Sequence, residues 1–448
     1  MKAGSHLSQI HIDDRIDTLY WPWVELLFKS LMVMFPLRNG LQIIPADDLI
    51  PPDNPASLLN NKSQDSRNGE YVTHRTQEMV LMSNQRITAP DHFQDVRHLV
   101  FEFTEEVDYG PGDTISIEPK NAPKDVDAFL TIQDWENIAD LQVSFRHDIS
   151  PGTMTLRKLV SDHLDIMSIP RRSFFDLVRH FTTNALHKEK LTEFSKVEGQ
   201  EELFDYANRP RRSILETLAE FDSIKIPIEY VLEIIPLIAP RQFSIANFHR
   251  REAHLAVAIV KYRTILRRIR RGVCTHWLEH MPVGTKVPFT IQHGQMRKCE
   301  DPQKPIVMVG PGTGVAPLRS LLQERISSSA SGENVLFFGC RFKKKDFLFQ
   351  LEMEDLCDRK LLRFFTAFSR DDKVYVQDIM RGQAELLYET LYVKGGVMFV
   401  CGSSGKMPSA VKEALVECFM TAGGMSRSDA DAYLLSMESS GRYRQETW

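Results

Sequence analysis

The stretch KPIVMVGPGTGVAPLRSLLQER, Lys304 to Arg325, decides the fold. Its apolar run Ile306-Val307-Met308-Val309 is bounded by turn residues, as a buried strand should be. Gly310, Pro311, Gly312, Thr313 and Gly314 then form a glycine-rich turn. From Ala316 onward, Leu318, Leu321 and Leu322 recur on one helical face. A strand, a glycine turn and a helix in that order suit a phosphate. Glycine lets the backbone come close, and the N–H groups at the helix start attract the anion. The same pattern also serves as a plain strand-to-helix connection, so the surroundings must decide.

Downstream, apolar runs at 306–309, 335–338, 361–368 and 397–400 alternate with helical segments. That alternation predicts a parallel, doubly wound sheet. Upstream, residues 80–119 form short alternating segments. They include 98–103 and 114–117, the latter after the turn Tyr109-Gly110-Pro111-Gly112-Asp113. These predict antiparallel strands of a small barrel, and strands return at 242–245 and 255–262. Between them, 152–235 reads as helical. Leu156, Leu159, Val160 and Leu164 share one face, Phe174, Phe175, Leu177, Val178 and Phe181 a second, and Ile214, Leu215, Leu218 and Phe221 a third. A helical block inside a strand-rich region predicts an insertion. Residues 13–37 suit one or two amphipathic helices built on Trp21, Trp23, Leu26, Leu27 and Phe28, and 45–68 reads as a linker.

The expected class is therefore α/β plus all-β, with domains at 1–75, 76–300 (helical insertion at about 152–235) and 301–448. The 448 residues, 42% hydrophobic and 26% charged, suit two or three globular domains. A net charge of −5 gives no general case for nucleic acid or membrane. The apolar stretch 24–37 contains Lys29 and is too short to span a bilayer, and no signal-peptide core follows Met1. The six cysteines, Cys274, Cys299, Cys340, Cys357, Cys401 and Cys418, form no CxxC pair and have no zinc-ligand spacing. Reduced thiols in a cytoplasmic compartment and no metal are expected.

Six short constellations carry candidate chemistry. Arg241-Gln242-Phe243-Ser244 alternates a guanidinium and a ring on one face of a strand with Gln242 and Ser244 on the other, suiting a diphosphate and a planar heterocycle. Arg271-Gly272-Val273-Cys274-Thr275 opens a helix whose free N–H groups suit a second phosphate-bearing segment; alternatively Thr275 only caps it. Phe337-Phe338-Gly339-Cys340-Arg341, followed by Asp346-Phe347, ends a strand where a ligand over a parallel sheet would sit. Ser369, Arg370, Lys373 and Tyr375, within Ser369–Gln377, offer charge and hydrogen bonds for a phosphate monoester, partly offset by Asp371 and Asp372. Phe399-Val400-Cys401-Gly402-Ser403-Ser404 runs another strand into a small-residue turn. The terminal Arg442-Tyr443-Arg444-Gln445-Glu446-Thr447-Trp448 ends in a ring that either frays or stacks on a flat ligand. Each has a bland alternative as an edge strand, a cap or a solvated loop, and their order and spacing speak together.

In that order the chain resembles the diflavin reductases, the NADPH-dependent flavoproteins that include cytochrome reductases and nitric oxide synthases. It is most similar to the branch serving cytosolic iron–sulphur protein assembly. The similarity runs from about Ser83 to Trp448 and includes SIPRRSFF (168–175) and EELFDYANRPRRSILE (201–216). The resemblance implies a ferredoxin-reductase-like module, with an FAD-binding barrel carrying the helical insertion and an NADPH-binding domain. It assigns Arg241, Gln242, Phe243 and Ser244 to FAD, with Phe243 where the family usually has Tyr. Gly272, Val273, Cys274 and Thr275 fall on the FAD diphosphate motif, and Arg211 matches an FAD contact of the insertion. Thr313 falls to NADPH, and Ser369, Arg370, Lys373, Val374, Tyr375, Val376 and Gln377 to its adenosine phosphate. Trp448 matches the aromatic that covers the isoalloxazine, and Ser244, Cys401 and Glu446 match the polar set around hydride transfer, where the family often has Asp for Glu446. Ala410 stands where an acidic NADPH contact is typical.

The resemblance also implies FMN, yet no Ser/Thr-Gly-rich phosphate loop of a flavodoxin-like domain is present. Residues 13–37 look like the last helix of such a domain. The expectation is a shortened isoform, an incomplete gene model or a separated module. The implied partners are an anamorsin-like iron–sulphur protein and a separate flavodoxin-like FMN module. Two other readings stay open: a single-flavin ferredoxin–NADP-type reductase, against which the insertion argues, and a truncated, non-catalytic binding module. The basic run Lys261, Arg263, Arg267, Arg268, Arg270 and Arg271 reads as a solvated face or as a dock for an acidic partner.

Overall fold

The computed structural model describes residues 16–37, 44–45, 47–59, 77–144, 154–294, 296 and 301–448. The chain divides into two compact units. Cys299 and parts of the expected linker lie outside the described residues.

One unit is largely helical and takes in residues 121–238. The three faces read from the sequence meet in one core. Phe129, Leu159, Val160, Phe174, Phe175, Phe194, Leu218 and Phe221 are all buried in it. Ser213 and Glu216 form a reciprocal capping box at the start of helix Ile214–Glu220. Of the segment 13–37, the described residues form one helix, Ile16–Met34, with Leu26, Phe28, Val33 and Met34 exposed.

The other unit holds an antiparallel barrel and a parallel sheet. The barrel strands are β1 (Gln77–Arg86), β2 (Val96–Phe103), β3 (Thr114–Ile117), β4 (Arg241–Ser244), β5 (Glu252–Ala258) and β6 (Lys286–Gln292). Their order is β4-β3-β6-β1-β2-β5, and an Ile245–Leu255 bridge brings the two ends together. Alternation does the sorting: Leu99, Phe101, Ile115, Leu255, Val257, Val287 and Phe289 point into one buried core.

The parallel strands are β7 (Ile306–Val309), β8 (Asn334–Cys340), β9 (Arg363–Phe368), β10 (Val397–Gly402) and β11 (Tyr443–Thr447), in the order β9-β8-β7-β10-β11. The sheet is buried on both faces, as helical crossovers require. Val307, Val309, Val335, Phe337, Met398 and Val400 pack against helix Met407–Gly423. Ile306, Met308, Leu336, Phe338 and Phe399 pack against helix Val315–Ser327 and its neighbours. The strand order reverses at β7, so the crevice beyond its carboxyl end is where such sheets take ligands. The terminal segment does not fray. β11 pairs in parallel with β10, Met398 opposite Tyr443 through Gly402 opposite Thr447.

Candidate active site

The glycine turn fills the reversal point. It forms a short 3-10 turn, Gly312–Gly314, and the helix begins at Val315, one residue before the sequence suggests. The close approach is real. A Cβ at Gly314 would stand 2.3 Å from the Cys401 carbonyl oxygen, and one at Gly310 2.5 Å from Leu318 Cδ1. Gly312 has φ +57 and faces open space.

Above this turn lies a cleft of about 920 Å³. It is lined by Thr313 from the turn, Gly339 near the end of β8 and Arg341 just after it, Ser369 and Val374, Tyr375, Val376 and Gln377 after β9, Ser403 after β10, and Trp448. Five separate sequence constellations thus meet at one sheet edge. Arg370 and Lys373 belong to the same turn as Ser369 but stand exposed outside the lining, with Lys373 in the left-handed region at φ 57. The far wall comes from the barrel. His92, Phe93, Gln94 and Val96 line it, and the Arg341 guanidinium lies 4.2 Å over the Phe93 ring. His92, Phe93 and Gln94 carry no motif and sit in the loop before β2, so periodicity gave no sign of them. Burial pushes the His92 imidazole below its usual range, partly offset by Asp346.

Beside the cleft, Cys401 and Glu446 stand opposite one another in the β10–β11 register. Cys401 Sγ is 3.2 Å from Met296 Sδ, and a Glu446 carboxylate oxygen accepts the Met296 N–H at 3.2 Å. Complete burial, and then the Glu446 charge, hold the Cys401 thiol well above its ordinary range, so it is a proton-bearing thiol at neutral pH. Trp448 is half exposed; its N–H donates to the Gly402 carbonyl at 3.1 Å, and its carbonyl accepts from Ser404 N–H at 3.0 Å. The backbone is therefore pinned while the ring stays accessible.

On the barrel, Arg241 and Gln242 are exposed on edge strand β4, while Phe243 and Ser244 are half-buried. Phe243 packs against the barrel core. Helix Val273–Glu279 starts at Gly272 with no side-chain cap. The Thr275 hydroxyl accepts the Val260 N–H at 3.0 Å instead of capping the helix. Cys274 is buried, which pushes its thiol up to about 12, and the Arg241 charge offsets part of that rise. The first two constellations therefore lie close enough to interact electrostatically. Arg211 is in the helical unit, exposed, at φ 54.

Residues 71–277 match the family described as an FAD binding domain, and residues 308–413 match the oxidoreductase NAD-binding domain. A relative from Yarrowia lipolytica called NADPH-dependent diflavin oxidoreductase 1 is 43% identical, over 97% of this chain and 69% of its own length. The Xenopus laevis protein of the same name is 42% identical, over 96% of this chain and 77% of its own length. The chain belongs to the NADPH-dependent diflavin oxidoreductases. A third relative of that name, from Candida albicans, is 45% identical over 82% of this chain and 65% of its own length.

The diflavin oxidoreductase assignment carries FAD and NADPH with it, and the residues present suit both. The cleft floor at Gly312 has nothing within 4 Å of where a Cβ would lie, room that a dinucleotide can use. The uncapped start of helix Val273–Glu279 and the exposed Arg241 offer N–H and guanidinium donors, a set suited to a diphosphate. Among the described residues no helix is long and apolar enough to cross a membrane, and five cysteines are free thiols.

Proposed function

We propose that this chain takes hydride from NADPH onto FAD and, through FMN, serves an iron–sulphur protein resembling anamorsin in the cytosol. When bound, NADPH and FAD supply the hydride chemistry; the protein supplies binding, alignment and shielding. Thr313 and the glycine turn hold the pyrophosphate part of NADPH, and Ser369, Arg370, Lys373 and Tyr375 hold its adenosine phosphate. Arg241 and the Gly272–Thr275 turn hold the FAD diphosphate. Ser244, Cys401 and Glu446 border the reacting rings, and Trp448 excludes water until the nicotinamide enters. The FMN step belongs to a flavodoxin-like domain, joined to this module or separate from it. The domains proposed are 1–75, 76–300 and 301–448.

The observation that carries this reading is the shared cleft: the glycine turn, Ser369, Tyr375 and Trp448 line one cavity at the sheet's reversal point. The decisive measurement is an absorption spectrum with flavin extraction, followed by NADPH-driven ferricyanide reduction. FAD bound with turnover supports the proposal. A colourless protein that leaves ferricyanide oxidised sinks it.

A further inference from the structure

The helix that opens at Gly272 closes on His276-Trp277-Leu278-Glu279-His280. Nothing in electron transfer from NADPH to flavin uses these side chains. His276 and His280 are four residues apart, which on a helix puts them one above the other. Their rings are 4.4 Å apart, and the Glu279 carboxylate lies close to both. Its Oε2 is 3.4 Å from His276 Nδ1 and 3.7 Å from His280 Nδ1, the His280 nitrogen that leaves Nε2 to ligate. One donor atom from each of the three residues lies within 4.8 Å of the others. Two ligands on one zinc-sized ion stand at most about 4 Å apart, since each bond is about 2.0–2.1 Å. Side-chain rotation of under about 1 Å closes that difference, less than the rotamer freedom of half-exposed imidazoles.

We propose that His276, Glu279 and His280 bind one divalent transition-metal ion of the imidazole-seeking kind, such as zinc or nickel.

Two further features favour a cation here. His280 Nδ1 is 2.9 Å from the His276 carbonyl oxygen. A carbonyl can only accept, so the proton sits on Nδ1 and Nε2 is left with its lone pair. Holding one ring nitrogen on a carbonyl in this way is how metal-binding imidazoles are oriented. The triad also sits at the carboxyl end of its helix, where the aligned peptide dipoles favour positive charge. The opposing influence is cationic. Arg271 and Arg97 approach Glu279 at 3.7 and 4.0 Å. Both distances lie beyond a hydrogen bond, so neither guanidinium takes up the carboxylate's lone pairs. The donor set of two nitrogens and one carboxylate oxygen selects against magnesium and calcium, which prefer all-oxygen sites.

The test uses the purified FAD-loaded full chain, titrated calorimetrically with zinc chloride and separately with nickel chloride. The expected result is one site per chain that excess magnesium does not displace. His280→Asn should weaken it by at least about tenfold, since losing even an outer-shell partner costs 10–100-fold. Glu279→Gln should weaken it as well. Zinc should raise the thermal midpoint of the parent chain but not of His280→Asn. Because His280 is exposed, that variant should keep the parent's metal-free NADPH–ferricyanide rate, which controls for folding. Zinc binding of equal strength in the parent, His276→Asn and His280→Asn overturns the proposal, and so does binding that Glu279→Gln leaves unchanged.

Discussion

Arg319 Nη1 donates to the Ala246 carbonyl at 2.6 Å, joining the helix after the glycine turn to the residue two places past Ser244. Ser320 Oγ donates to the Asn247 carbonyl at 2.7 Å, and the Phe248 N–H donates to Gln323 Oε1 at 3.1 Å. The nucleotide helix is thus stitched to the end of flavin strand β4 by three successive residues. Arg319 also pairs with Glu352 at 2.6 Å while almost fully buried. Arg319→Met removes the donor to the buried Ala246 carbonyl and leaves Glu352 with Gln323 alone, a loss of about 1–3 kcal/mol. Denaturant unfolding should show that loss, together with slower flavin reduction by NADPH. A loss under about 1 kcal/mol would mean that the stitching is redundant.

Gly314→Ala tests the turn itself. Its Cβ would meet backbone atoms, the Cys401 carbonyl oxygen at 2.3 Å and Gly402 Cα at 3.0 Å, and backbone cannot swing aside. Overpacking of this kind costs about 1–3 kcal/mol. NADPH affinity should fall with stability. In stability, Gly312→Ala meets open space and should lose only what its left-handed φ costs, about 1 kcal/mol.

Ser369 and Tyr375 line the cleft where the adenosine phosphate is proposed to bind. A hydrogen bond to a charged group is worth about 1.5–3 kcal/mol. Ser369→Ala should therefore raise KM for NADPH by roughly ten- to a hundredfold. KM for NADH should not change, because NADH lacks that phosphate. Equal effects on both cofactors would place Ser369 away from it.

Trp448→Ala removes the exposed ring and leaves the backbone bonds to Gly402 and Ser404. If the ring shields the flavin, nicotinamide should enter more freely and preference for NADPH over NADH should fall. Steady-state kinetics with both cofactors decide it, and an unchanged preference removes the shielding role.

Acid should destabilise the barrel through a histidine pair. His98 Nε2 and His254 Nδ1 are 3.1 Å apart on neighbouring strands β2 and β5. Burial, and then the His254 charge, push His98 down to about 4; Arg319 lowers it further and Glu352 opposes. Burial lowers His254 too. Above about pH 6.5 both are neutral folded and unfolded, so their contribution is complete. As pH falls from about 6.5 to 4 the unfolded chain takes up protons that the folded chain refuses, and stability drops. His98→Asn should flatten that slope of unfolding midpoint against pH, and an unchanged slope would place the acid sensitivity elsewhere.

The parallel sheet was legible because its signal is local. Ile306, Val307, Met308 and Val309 are all apolar since both faces of β7 are covered. The three helical faces of the insertion were legible for the same reason. Strand β6 was missed, although Val287, Phe289 and Ile291 alternate and would have revealed it. Strand β11 had no such signal. Arg444, Gln445 and Glu446 are polar, and the strand exists because its backbone finds β10, with Tyr443 opposite Met398 far back in the sequence. Likewise His92 and Phe93 reach the cleft only because the barrel is placed beside the sheet. Tertiary placement of that kind leaves no periodicity to read.

The stitching at Ala246, Asn247 and Phe248 bears on recombination. A chimera that grafts this nucleotide sheet onto a foreign barrel would inherit Arg319, Ser320 and Gln323 without the carbonyls and N–H they meet. The viable crossover unit is the sheet together with the segment 246–248, so these two parts of the molecule should be exchanged between relatives as one piece.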